Sequence, residues 1–345
     1  MDPKRLQLDI QDKSSFPKYR QIVRSVIDNI EQGNLEAGDV LPSINQVSFD
    51  YLLSKDTVER AYKILKDDGV IRAVKGKGFY VHHSTPESKL RVLVLFNKLS
   101  SYKKVVYNKM AHDLFEKANI TFYVYHCRYD LFENILKENK YGYNYYVIMP
   151  HFIDFDQEKV VKQLQTIDPS KLILVDNLIE GFDQFKGGVY QDFKLDIYDA
   201  MCNGLAELRR YKKLILVFPA NPVYPYPVTI LEGFKRFCGL QNFEFEVISE
   251  VTEDLELRKE SVYVIIEESD LAKLIKLTRS QHMKISKDVG ILSYNDTPLK
   301  EVLENGISVM TTDFEKMGES VANIILNRSE GLIKNDFQLI LRNSL

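Results

Sequence analysis

The sequence predicts a multidomain chain: a small, mostly helical domain closed by a β-hairpin, followed by a larger α/β region folded as two lobes. Three observations predict it. At roughly 150 residues per domain, 345 residues make two or three domains. The apolar spacing is helical up to about residue 70, then shortens to two hairpin-like runs. Beyond the polar, Pro-containing run His83-Ser84-Thr85-Pro86-Glu87-Ser88-Lys89, short apolar runs alternate with helical stretches. The expected division is therefore residues 1–82, a linker at 83–89, and residues 90–345.

Composition supports a globular chain, with 45% hydrophobic and 28% charged residues. Trp is absent, and 20 Tyr and 19 Phe supply the aromatic bulk. The net charge of −3 excludes a whole-chain basic field, so a polyanion must meet a local patch. Before residue 84 there are 13 Lys and Arg against 12 Asp and Glu; between Ser54 and His83 the balance is seven to four. Cys127, Cys202 and Cys238 are far apart, with no Cys-x-x-Cys, so reduced thiols are expected. The N-terminus has no apolar h-region and no window is apolar enough to span a bilayer. A cytoplasmic protein with no membrane partner is expected.

A first helix is expected from Pro17 to Gln32, with Tyr19, Ile22, Val23, Val26, Ile27 and Ile30 on one face and Gly33 as its stop. A second begins at Ser43, where Ser43 and Gln46 make the capping-box pattern and Ile44 and Val47 face inward. A third runs from Ser54 to Asp68, burying Val58, Ala61, Tyr62 and Leu65 and stopped by Gly69. Val70–Val74 and Phe79–His82 then read as strands joined by the basic, Gly-rich tip Lys75-Gly76-Lys77-Gly78. Three short helices and a basic hairpin describe a winged helix-turn-helix. A helix is ~10–12 Å across and fits the DNA major groove. Its N-terminal hydroxyls, Ser54 and Thr57, suit phosphate oxygens, and Lys55 and Arg60 suit phosphates or guanine edges. Lys75 and Lys77 bring charge to a backbone that Gly76 and Gly78 let approach the duplex.

The residues Pro17-x-Tyr19-x-Gln21-Ile22, Gly33-x-Leu35-x-x-Gly38-Asp39-x-Leu41-Pro42-Ser43, Thr57-Val58-x-x-Ala61-Tyr62-x-x-Leu65, Gly69-x-Ile71 and Gly76-x-Gly78-Phe79-x-Val81 resemble the GntR family DNA-binding domain. The resemblance covers residues 16 to 82. It implies a transcription regulator binding near-palindromic operator DNA as a homodimer. Ser43, Asn45, Ser54, Lys55, Thr57, Arg60 and the wing tip 75–78 would form the DNA surface. Two positions depart from the family, Asn45 and Lys55, where Arg is common. Asn still suits adenine, and Lys suits guanine or phosphate.

From Leu90 onward strands are expected at Arg91–Phe96, Thr121–Tyr125, Tyr145–Met149, Leu172–Val175, Leu214–Phe218, Phe245–Ile248, Tyr263–Ile266 and Val289–Leu292. Runs such as LRVLVLF suit strands buried on both faces, and amphipathic stretches such as Met110, Ala111, Leu114, Phe115 and Ala118 suit crossover helices. Ligands in such folds bind beyond the carboxyl ends of the strands. Those ends carry Asn97 and Tyr102, His151, Asp176, Asn221 with Tyr224 and Tyr226, and Asn295. Amides, carboxylates and flat aromatic faces suit a hydroxyl-rich ligand.

Gly188-Val189-x-x-Asp192, Gly233-Phe234, Glu268-Ser269-Asp270, Asp288-Val289-Gly290-Ile291-Leu292-Ser293-Tyr294-Asn295-Asp296-Thr297 and Thr311-Thr312-Asp313-x-x-x-Met317-Gly318 resemble the sugar-sensing domain of the lac repressor and ribose-binding-protein superfamily. A periplasmic-binding-protein-like domain is implied, and Asp192 joins the ligand candidates. Ile230 stands where a sugar-binding Arg is common, and Asn295 where an Asp is. The expected effector is therefore a sugar, with a neutral hexose or deoxyhexose such as fucose favoured. The alternative is a second domain that serves dimerisation or senses a non-sugar metabolite. No metal spacing, nucleophile elbow, dinucleotide or phosphate-loop motif is present, so neither an enzyme nor a cofactor is expected.

Overall fold

The computed structural model describes residues 6–10, 17–31, 33–82, 89–140, 142–153, 156–219 and 224–345. The expected linker, apart from Lys89, and Asn221 lie outside the described residues. The chain divides into two compact units, one of residues 1–94, 114–123 and 130–146, the other of residues 95–113, 124–129 and 147–345.

The winged domain contains α1 (Lys18–Glu31), β1 (Val40–Leu41), α2 (Ile44–Asp50), α3 (Lys55–Asp67), β2 (Ile71–Val74) and β3 (Gly78–Val81). The three strands form an antiparallel sheet in the order β1-β3-β2. Ile22, Val26, Val47, Val58, Ala61, Tyr62 and Leu65 make its core. The Tyr62 hydroxyl donates to the Pro42 carbonyl at 2.7 Å, so the largest core ring leaves no polar atom orphaned. Ser54 and Ser43 cap α3 and α2, each accepting from the backbone N–H three residues on. The Gln46 side chain bonds Asp50 instead of returning to the cap, so only half of the expected capping box forms.

The turn between α2 and α3 places Leu52 at φ 51, 92% exposed. A left-handed L-residue costs ~1–2 kcal/mol, and Leu52 recovers none of it by burial. Leu52→Gly is expected to raise stability by about 0.5–1 kcal/mol after glycine's extra unfolded-chain entropy. Thermal melting followed by circular dichroism checks the sign.

The rest of the chain runs β4 (Leu90–Phe96), α4 (Ser101–Asp113), β5 (Ala118–Val124), α5 (Tyr129–Glu138), β6 (Tyr145–Ile148), α6 (Gln157–Leu164), β7 (Leu172–Asp176) and β8 (Gly187–Tyr190). It continues through α7 (Phe193–Asn203), α8 (Leu205–Leu208), β9 (Lys213–Val217), α9 (Val228–Gln241), β10 (Glu244–Ile248), β11 (Ser261–Ile265) and α10 (Glu268–Ser280). It ends with β12 (Val289–Tyr294), α11 (Pro298–Val302), β13 (Ser308–Thr312), α12 (Phe314–Ile325), β14 (Gly331–Lys334) and β15 (Phe337–Ile340). Two six-stranded sheets result, in the orders β14-β8-β7-β6-β4-β5 and β10-β9-β11-β12-β13-β15. In the second, β10, β9, β11, β12 and β13 are parallel and β15 closes the edge antiparallel. Switch-point geometry of this kind gathers strand ends at one face.

The expected strands all form, with ends shifted by up to three residues. The helical stretch read through Ala118 stops at Asp113. Glu116 at φ 64 breaks it, Phe115 is 73% exposed, and Ala118 opens β5. The three cysteines are unpaired. Among the described residues no helix is long and apolar enough to cross a membrane, and no His, Cys, Asp and Glu cluster could hold a metal ion.

Candidate functional site

The first of two candidate surfaces is on the winged domain. Ser43, Asn45, Ser54, Lys55, Arg60, Lys75, Gly76, Lys77 and Gly78 are exposed, and Thr57 is half-buried. Ser54 Oγ and Thr57 Oγ1 share a hydrogen bond of 2.7 Å at the start of α3. The Arg60 guanidinium stacks on the Tyr19 ring at 4.0 Å, which ties that side chain to α1. Gly76 and Gly78 sit at φ 76 and 100, a backbone that side chains resist, and no neighbouring atom crowds them. The wing tip is thus bare backbone flanked by two lysines.

The second surface is a cavity of about 680 Å³ within the second unit, lined by strand-end residues of both six-stranded sheets. Asn97, Tyr224 and Tyr226 line it, with Lys98, Cys127, Glu267 and Lys273 among their neighbours. Next to Asn97 and Tyr224 lies a buried ionic cluster. Asp176, at the carboxyl end of β7 with φ 74, receives Lys103 Nζ at 3.0 Å and His151 Nε2 at 2.9 Å on Oδ2. Gln191 donates to its Oδ1. The Lys103 ammonium also donates to Asn97 Oδ1 at 2.6 Å and to the Tyr224 hydroxyl at 3.4 Å. Its three donors therefore have three partners.

Burial pushes the Asp176 carboxyl up, but the Lys103 charge and the His151 hydrogen bond outweigh it and hold the group well below the usual carboxylate range. Burial lowers His151 below its ordinary value, against the pull of Asp176. A neutral His151 beside an ionised Asp176 must donate through Nε2–H, since a carboxylate only accepts. The cluster fixes the strand ends that carry Asn97, His151 and Asp176.

The structure thus brings Asn97, His151, Asp176, Tyr224 and Tyr226 together, with the His151 and Tyr224 rings 5.8 Å apart. Tyr102 stacks on Phe314 at 4.9 Å. Asp192 caps α7, its Oδ1 accepting from the Leu195 N–H at 3.1 Å. Asn295, at φ 60, directly follows β12, and its carbonyl receives Lys300 Nζ at 2.7 Å. His151, Asp176, Tyr102, Asp192 and Asn295 are not among the described residues that line the cavity. Asn295 Oδ1 and Tyr294 Oη are buried without a partner among the described residues.

Sequence reasoning missed Lys98, Lys103 and Glu267. Lys103 had a signal: it shares the buried face of α4 with Val106 and Met110, a lysine on an apolar stripe.

Residues 18–81 match bacterial regulatory proteins of the gntR family. The HTH-type transcriptional repressor YtrA of Bacillus subtilis is 32% identical over 74 residues, 21% of this chain and 57% of that one. The mannosyl-D-glycerate transport/metabolism system repressor MngR of Escherichia coli is 28% identical over 89 residues, 26% of this chain and 37% of that one. The matched stretch thus spans little more than half, or less, of these relatives' own length.

Among solved structures, a LacI family transcriptional regulator from Enterococcus faecalis with bound ribose has a TM-score of 0.57 at 16% identity, over 74% of this chain and 98% of that one. A LacI family transcriptional regulator from Lactobacillus casei with bound glucose has a TM-score of 0.57 at 11% identity, over 74% and 99%. These likenesses are of fold. A helix-turn-helix domain is therefore joined to an α/β domain of the kind found in LacI-family regulators. The helix-turn-helix is that of the gntR family.

Proposed function

We propose that the chain is a transcription regulator whose grip on operator DNA is set by a sugar bound in the strand-end cavity. One observation carries the reading: a gntR-family domain shares a chain with a polar, aromatic-lined cavity in the fold of sugar-bound regulators. The domain at residues 1–82 reads the duplex through Ser43, Asn45, Ser54, Lys55, Thr57, Arg60 and the wing. Residues 90–345 bind the ligand and pair two copies into a homodimer, which acts in the cytoplasm. The first ligand to try is a neutral hexose or deoxyhexose such as fucose. Asn97, Tyr102, His151, Asp176, Asp192, Tyr224, Tyr226 and Asn295 stand as its candidate contacts or their supports. A ligand shifts the DNA-binding equilibrium only through unequal affinity for two states, commonly about 1–3 kcal/mol.

Fluorescence anisotropy against operator-containing duplexes tests the DNA surface. Lys55→Ala and Arg60→Ala are expected to weaken binding and flatten the salt dependence, each lost phosphate contact removing about 0.9 from the log–log slope. Gly78→Asp forces a side chain onto φ 100 and adds a carboxylate facing phosphate, so it weakens binding further. Unchanged binding in all three rejects this surface. Calorimetry with sugars tests the cavity. A folded protein silent to all of them leaves a second domain that dimerises or senses another metabolite.

A further inference from the structure

Lys98 and Glu267 are charged residues of the cavity wall that neither the sequence motifs nor the buried cluster absorbs. Lys98 follows β4 and Glu267 follows β11, so the two are carried by different sheets. Lys98 Nζ lies 3.4 Å from the centre of the Tyr224 ring and 5.5 Å from that of Tyr226. Its ammonium makes no hydrogen bond or ion pair with another described residue, and neither does the Glu267 carboxylate. The remaining carboxylates and ammonium of the lining are paired: Lys273 reaches Asp270 at 3.4 Å and Glu250 at 3.7 Å. The Lys103 ammonium is already saturated.

Among the described residues the cavity wall therefore carries one ammonium and one carboxylate that no hydrogen bond or ion pair engages. A ligand of either net charge opposes one of them. A neutral ligand with several hydroxyls suits both, because a hydroxyl accepts from an ammonium and donates to a carboxylate. We infer that Lys98 and Glu267 are specificity-determining residues that grip one neutral, polyhydroxylated ligand from two walls, Lys98 donating to a hydroxyl oxygen and Glu267 accepting from a hydroxyl, with the Tyr224 and Tyr226 rings alongside. The inference deepens the sugar-sensing reading and rests on it.

A pH signature follows. Burial, then repulsion by Lys103 on α4, brings Lys98 down to about 8. Cys127 after β5, Glu267 and Asp176 at the end of β7 pull the other way. His126 also faces the cavity, as do the two tyrosines. A ligand that accepts from the ammonium binds its charged form, so affinity is full below pH 8 and falls as pH rises past it.

Isothermal calorimetry on the full chain tests this with D-glucose, D-galactose, D-ribose and L-fucose against D-glucuronate and D-glucosamine. A neutral sugar is expected to bind more tightly than either charged one. Lys98→Met and Glu267→Gln are each expected to weaken it about 10- to 100-fold, the loss of one charge-assisted hydrogen bond. Lys98→Arg keeps the donor, and its affinity stays level above pH 8. Full neutral-sugar affinity in both Lys98→Met and Glu267→Gln overturns the inference and leaves the cavity reading standing. So does tighter binding of a charged sugar. If Lys98→Met does not fold, an Lys98→Arg profile that still falls above pH 8 overturns it. Silence of the folded wild type to every sugar removes both readings.

Discussion

Lys103→Met lowers the stability of the α/β region by about 3–5 kcal/mol at neutral pH, the usual cost of leaving a buried charge without its partner. Methionine matches the length of the lysine stem, so packing beside Val106 and Met110 is largely kept and the loss reports charge. Asp176, 6% exposed, then keeps only the neutral His151 and Gln191 as donors. Burial, the largest influence on that carboxyl, is no longer outweighed, and its pKa rises. His151 is released from the repulsion of Lys103 and titrates higher as well.

The sign of the pH dependence separates this from a packing defect. In the wild type, Asp176 titrates well below its unfolded value, so its contribution is full above about pH 4 and is lost as pH falls through the folded pKa. In Lys103→Met the His151–Asp176 pair takes up a proton in the folded state more readily than in the unfolded one. The deficit relative to wild type therefore shrinks between pH 8 and pH 5. Urea unfolding at the two pH values, followed by circular dichroism because the chain has no Trp, measures it. A deficit that stays constant or grows on acidification contradicts the electrostatic account. Asp176→Asn in the Lys103→Met background recovers part of the loss at pH 8, since it removes the stranded charge.

The winged domain was the most legible part of the chain because its signals are local. Ser43, Ser54, Gly33 and Gly69 mark ends, and the Val58-Ala61-Tyr62-Leu65 stripe marks a buried face, all within one or two turns. Strands buried on both faces were visible as apolar runs. The strands that were missed, β1, β8, β13, β14 and β15, are two to five residues long, and β8 opens with two glycines that carry no side-chain pattern. At the cavity, a polar residue at a strand end was readable, as at Asn97, His151 and Asp176. The uncompensated charges were not. Lys98 and Glu267 look like any lysine and glutamate in sequence, and what sets them apart is that neither has a hydrogen-bond or ion-pair partner among the described residues. Asp192 shows the converse ambiguity, since an Asp that caps a helix and an Asp that meets a ligand are spelled alike.

Gly233 and Gly239 sit on the same helix, α9, and alanine is expected to act on them with opposite sign. A Cβ on Gly233 would lie 2.3 Å from the Lys194 carbonyl oxygen and 2.5 Å from Ile197 Cγ2, both on α7. The first of these is backbone and cannot turn aside. The helices must part, opening the core in which Ile197, Ile230, Phe234 and Phe237 pack. Overpacking of this kind costs ~1–3 kcal/mol or more, and better helix propensity returns only about 1. Gly233→Ala is therefore expected to lower stability by about 2 kcal/mol, and Gly233→Val, with its branched Cβ, by more. Gly239 faces open space, so Gly239→Ala gains the propensity alone, about 1 kcal/mol. The contrast of about 3 kcal/mol between two substitutions six residues apart isolates the α7–α9 contact from any general tolerance of the helix. The effect carries towards the cavity, because Phe193 in the first turn of α7 packs edge-on to His151 at 6.3 Å, and the His151 ring lies 5.8 Å from that of Tyr224 in the cavity wall. Sugar affinity measured by calorimetry should therefore fall in Gly233→Ala and hold in Gly239→Ala. Equal melting temperatures for the two variants contradict the close approach of these helices.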